Sequence, residues 1–216
     1  MSRTATVAPG APARLPWSGD DEADRLIAAD PNALLIGFVL DQQVTVQKAF
    51  SGPPEIRRRL GTLDPGKLAA MDPQKVRDAF AKPPAVHRFP GAMADRVRAL
   101  CELLATEYGG DASRLWREAA TADDLKARLG RLPGIGPMKA RTILGLLAKQ
   151  FGVRPPGWEK AVPDFPTLAD VTTSGELAEY QAHKRAWKAE MRAQGIDPGK
   201  HTIPKRPAGA ARAKKS

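Results

Sequence analysis

Along most of this chain apolar residues recur at helical spacing, and glycine or proline marks the breaks between periodic segments. Asp20-Asp21-Glu22 opens a short helix that runs through Ala29. Pro31 starts another, in which Leu34, Leu35, Phe38, Val39 and Leu40 leave apolar residues on most sides, the pattern of a helix buried in a core. Polar positions return at Asp41-Gln42-Gln43-Val44-Thr45. Asp64-Pro65 and Asp72-Pro73 each pair an N-cap acid with proline at the first helical position, and Lys82-Pro83-Pro84 ends the second of these helices. A turn at His87-Arg88-Phe89-Pro90-Gly91 feeds a helix carrying Val97, Leu100, Cys101 and Leu104, which Gly109-Gly110 terminates after Tyr108. The segment 121–132 keeps Leu125, Leu129 and Leu132 in helical step, and Ala140, Ile143, Leu144, Leu147 and Phe151 then form one apolar face. A proline-rich irregular stretch over 153–168 follows, and the capping-box pattern Thr173-Ser174-Gly175-Glu176 opens a last helix that reaches Ala193. No segment alternates as a strand would, so the expected fold class is all-α, one body of two helical lobes.

The turn between the two helices around residue 134 carries chemistry. Leu132-Pro133-Gly134-Ile135-Gly136-Pro137-Met138-Lys139-Ala140 is a tight, glycine-hinged hairpin. With no side chains at Gly134 and Gly136, its N–H groups can press on a ligand. They stand at a helix N-terminus, where free donors and the helix dipole favour an anion such as a nucleic-acid phosphate.

Composition supports that partner. The 216-residue chain carries a net charge of +10, and 42% of it is hydrophobic. Residues 200–216 hold Lys200, Lys205, Arg206, Arg212, Lys214 and Lys215 with no acid, so 196–216 reads as a basic disordered tail that adds salt-sensitive DNA affinity. Residues 1–19 read as a disordered Ala/Pro-rich N-terminus without a signal-peptide core, and 20–195 as the folded domain. The lone Cys101 lies in an apolar helical run and reads as buried and inert, which fits a cytoplasmic, nucleoid-associated protein. Three histidines and no Cys/His cluster offer no metal signature, and no apolar run is long enough to span a membrane. A monomer acting on double-stranded DNA is expected.

The run Leu132-Pro133-Gly134-Ile135-Gly136, with Ala140 after it, resembles the helix-hairpin-helix of the HhH-GPD superfamily of base-excision DNA glycosylases. The resemblance extends over residues 30–152. The run from Leu34 to Thr45 is similar to the superfamily's buried helix and its glutamine-containing turn, and the segment from His87 to Tyr108-Gly109-Gly110 is similar to its second helical element. A short subgroup without an iron–sulfur cluster, similar also in the stretch from Lys149 to Trp158, matches more closely; one cysteine cannot supply the four thiolates of such a cluster.

The resemblance implies DNA binding by Gly134, Ile135 and Gly136, and a wedge at Gln42 or Gln43, with Gln43 favoured, that fills the space left by an extruded base. Bifunctional relatives carry a nucleophilic lysine where this chain has Met138. Lys139 comes one residue later, turned by about 100°, and is expected to face a phosphate or solvent. The activity implied is therefore monofunctional base removal. Where the family places its aspartate this chain has Pro155-Pro156-Gly157; a longer loop leaves Asp170 as the preferred carboxylate, Asp164 as the second choice and Glu159 as the third. Trp158 is the best stacking candidate, while Trp116 and Trp187 fit a core. The other reading is a non-catalytic DNA-binding module that retains the hairpin without the aspartate.

Overall fold

The structure, a computed structural model, describes residues 10–197, and within them every regular element is helical. The helices α1 (Asp21–Ala29), α2 (Pro31–Leu40), α3 (Val46–Phe50) and α4 (Gly52–Leu60) come first, then α5 (Pro65–Ala70), α6 (Pro73–Ala81) and the long α7 (Pro90–Tyr108). The short α8 (Arg114–Arg117) precedes the hairpin helices α9 (Ala122–Gly130) and α10 (Pro137–Gln150). After them come α11 (Trp158–Ala161), a 3-10 turn (Leu168–Asp170) and α12 (Ser174–Ala193).

The organising element is α2. Asp30 accepts hydrogen bonds from the N–H groups of Asn32 and Ala33, and Pro31 occupies the first position, so the helix begins without an unsatisfied donor there. All ten residues of α2 are buried, and α1, α3, α4 and α7 pack around it. Gly37 is required by this packing, because a Cβ there would stand 2.5 Å from the Phe50 ring. Buried Asn32 ties the start of α2 to the loop after α7, donating to the Gly110 carbonyl at 3.0 Å and accepting from Ala112 N–H at 3.0 Å. Elsewhere α5 and α6 cover α7, while α9, α11 and the 3-10 turn pack on α10.

The core begins earlier than composition suggests. Leu15 and Trp17, assigned to the disordered 1–19 segment, are fully buried. Trp17 stands edge-on to Phe38 and Phe50, with centroids 6.0 and 4.8 Å away, and its Nε1–H donates to the Val171 carbonyl. Asp24 fixes the turn by accepting from the N–H groups of Trp17 and Ser18. Two large apolar side chains with a place in the core outweigh the Ala/Pro bias around them. Residues 1–9 and 198–216, the latter holding almost all of the basic tail, lie outside the described residues.

The last helix, α12, is different in kind. Its capping box is formed, with Thr173 and Glu176 satisfying each other's backbone N–H groups. Yet only Leu177 is buried along its length. One face, with Tyr180, Gln181, Lys184, Trp187, Lys188 and Met191, is half-buried, and paired amides of Gln47 and Gln181 join it to α3.

Candidate nucleic-acid interface

The hairpin starts where α9 runs out and Pro133 prevents its continuation. Ile135 turns inward: its side chain is buried and its N–H donates to the Leu132 carbonyl at 3.0 Å, so it anchors the turn rather than offering a donor to a ligand. The two glycines do different work. Gly134 has φ +82°, and a Cβ on it would meet Arg96 Cδ at 2.7 Å and Gln42 Nε2 at 3.2 Å. Gly136 has φ −80°, a conformation any residue adopts, and open space where its Cβ would be. It caps α10, whose first helical bond runs from Ala140 N–H to the Gly136 carbonyl, so the N–H groups of Met138 and Lys139 precede the helical ladder. Met138 is among the exposed large apolar side chains, at 43%.

Lys139 departs from its expected direction. Its ammonium points inward and donates to the carbonyls of Phe38 at 2.7 Å, Asp41 at 3.2 Å and Gly134 at 3.4 Å. Carbonyls at a helix C-terminus lack intrahelical partners and carry partial negative charge, and a cation one step round α10 satisfies those at the end of α2. Burial pushes the ammonium below the ordinary lysine range, opposed by the Asp41 charge. Lys139 thus joins the hairpin to α2.

The two glutamines separate cleanly. Gln42 is engaged inside the protein: its Nε2 donates to the Val39 carbonyl at 2.7 Å and its Oε1 accepts from Arg96 of α7 at 2.7 Å. Gln43 is exposed and holds φ 56°, the one left-handed non-glycine residue among those described. Strain of this kind gathers at functional positions. The buried His87 braces the same turn, its Nε2 bonded to the Gln42 carbonyl at 2.9 Å and its Nδ1 accepting from Phe89 N–H at 3.0 Å. Burial pushes His87 below its ordinary range, consistent with a neutral ring that clips backbone. Beside it Phe89 is 42% exposed, with the Arg88 guanidinium 4.7 Å from its ring.

The three downstream acids differ in how they are engaged. The carboxylate of Asp170 accepts from Thr167 N–H at 3.0 Å and from its hydroxyl at 3.3 Å, closing a capping box, and is ion-paired with Lys149 near the far end of α10. Asp164 and Glu159 are exposed on the connecting segment. Trp158 is half-buried with the Arg154 guanidinium 5.3 Å from its ring, Trp116 lies in the core, and Trp187 is half-buried on α12. Cys101 is fully buried, its thiol pushed up to about 12 by desolvation.

A carboxylate missing from the sequence-based candidates lies at the junction of α2, the hairpin and α12. Asp41 is half-buried, and its carboxylate makes no hydrogen bond or ion pair among the described residues. Burial pushes it above the ordinary carboxylate range, against the pull of Lys139, Lys184 and Lys188. The Tyr180 phenol is pushed up by burial and by the charges of Asp41 and Asp170, which sets it near both. The signal for Asp41 was present, since it is the first polar residue after the buried helix. The lysines of α12 that face it could only be found from the fold.

Among the described residues no helix is long and apolar enough to cross a membrane. No curated protein and no solved structure matches this chain. A family model does, over residues 36–196, and it spans the second half of the buried helix, the glutamine turn, the hairpin and α12: that of the HhH-GPD superfamily base excision DNA repair proteins. The chain belongs to this superfamily, and base excision DNA repair is the process in which it acts.

Proposed function

We propose that the protein is a monofunctional DNA glycosylase, hydrolysing the N-glycosidic bond of a damaged or mismatched base and leaving an abasic site. The observation that carries this reading is the meeting of hairpin and glutamine turn at one place. Gly134 lies against Gln42, which Arg96 holds, while Gln43 stands exposed in a left-handed conformation beside them. A phosphate grip next to an exposed long amide suits a protein that extrudes a nucleotide and fills the gap it leaves. Met138 at the lyase position and the engaged ammonium of Lys139 favour hydrolysis without strand cleavage. A single cysteine in the chain fits a reaction that needs no iron–sulfur cluster.

The test is a panel of lesion-bearing and mismatched duplexes, analysed with and without alkali. Strand breaks are expected only after alkali, which cleaves abasic sites. Breaks without alkali would show a lyase and sink the monofunctional reading. The engagement of Asp170 as a cap favours a second reading, a binding module without catalysis. Tight binding with no base released from any duplex would decide for it.

A further inference from the structure

We propose that Asp41 is the catalytic carboxylate of this protein, the group that faces the anomeric carbon of the extruded nucleotide; the proposal rests on the glycosylase reading above. Three observations converge on it. First, Asp24, Asp30 and Asp170 have structural work, and Asp41 has none. Asp30 caps α2, Asp24 fixes the Trp17 turn, and Asp170 caps the 3-10 turn and pairs with Lys149. Asp41, at the end of α2, holds a carboxylate without a hydrogen bond among the described residues. A charge partly withdrawn from water and left without a hydrogen bond is costly, and sites that keep one are candidates for function.

Second, Asp41 is in the right place. It is two residues before Gln43, the exposed left-handed residue, and it remains partly open to solvent. Its backbone carbonyl is held by the same ammonium that binds the Gly134 carbonyl, so it is fixed relative to the hairpin. Third, its surroundings suit the task. Burial pushes Asp41 above the ordinary carboxylate range, and Lys139, Lys184 and Lys188 pull it back toward the ionised form while protein replaces water around it. A preorganised carboxylate with little water around it stabilises a developing positive charge far better than one in bulk solvent.

The step is a hydrolysis. The C1′–N bond breaks, its electron pair leaves with the base, and the base takes a proton from solvent. Asp41 stabilises the cationic sugar. A water oxygen then forms the new bond to C1′ and gives its proton to the Asp41 carboxylate, which returns it to solvent.

The experiment compares the full-length wild type with Asp41→Asn, Asp41→Ser and Asp170→Asn on a lesion duplex that the wild type processes. Base release is read as alkali-labile breaks. Binding is read on two duplexes, one with a cationic pyrrolidine analogue of the abasic sugar and one with neutral tetrahydrofuran. Both Asp41 variants are expected to lose base release by about 100-fold or more. They should also lose the wild type's preference for the cationic analogue, with tetrahydrofuran binding within a few fold of wild type. Asp170→Asn is expected to stay within a few fold of wild type in both readouts. If either Asp41 variant releases base at the wild-type rate, or if Asp170→Asn alone loses activity, Asp41 is overturned and the glycosylase reading stands. If the wild type binds DNA but releases no base from any duplex, the glycosylase reading fails and takes this role with it.

Discussion

At the residue scale, Gly134 and Gly136 separate folding from binding. Gly134 needs its positive φ and lies against Arg96 and Gln42, so Gly134→Ala carries about 1–2 kcal/mol of backbone strain and pushes the Arg96 side chain from its bond to Gln42. Gly136 has an ordinary φ and open space, so Gly136→Ala leaves the free protein intact. Thermal melts should show Gly134→Ala lowered and Gly136→Ala unchanged. Duplex binding should weaken at both, and more for a bulkier residue at 136. A Gly136→Leu variant that binds DNA like wild type would show that the hairpin end does not touch the phosphate. The residue-level candidates were only partly legible beforehand. The hairpin and Gln43 follow from a contiguous motif. The inward turn of Lys139 does not, because its carbonyl partners Phe38 and Asp41 lie 101 and 98 positions away.

Among the elements, α12 is lightly held for its length. One of its twenty residues is buried, and its attachments include a capping box, a half-buried face with Tyr180 on the core and the amide pair with Gln47. Helices with few buried contacts open at low free energy. In native-state hydrogen exchange the α12 amides should exchange well before those of α2, all of whose residues are buried. Thr173→Ala, which removes the cap, should cost about 1 kcal/mol and widen that gap. Equal protection in the two helices would contradict this picture. Helices with an N-cap acid followed by proline, α5 and α6, were legible because both signals are local. The five-residue α3 and the four-residue α8 and α11 were not. Such short helices form on a surface that packing supplies, and their own sequences are too brief to show a period.

For the whole molecule, the segment before α1 is part of the fold. Trp17 reaches from the N-terminal side to Phe38, Phe50 and the Val171 carbonyl, so it couples the first described residues to the last third of the chain. Trp17→Ala should cost about 3–5 kcal/mol in denaturant unfolding, a large part of a domain's total stability. A cost below about 1 kcal/mol would mean that the segment is peripheral. Its place in the core was hidden because two apolar residues in an Ala/Pro-rich stretch make no period. The ammonium of Lys139, which donates to carbonyls of both α2 and the hairpin, also has a meaning at this scale. One side chain works as a gauge block between the hairpin, proposed above as the grip on the DNA backbone, and the end of α2 that holds Asp41. On that proposal, the span from phosphate to carboxylate is set inside the protein before any duplex arrives, and the strand adjusts to that span.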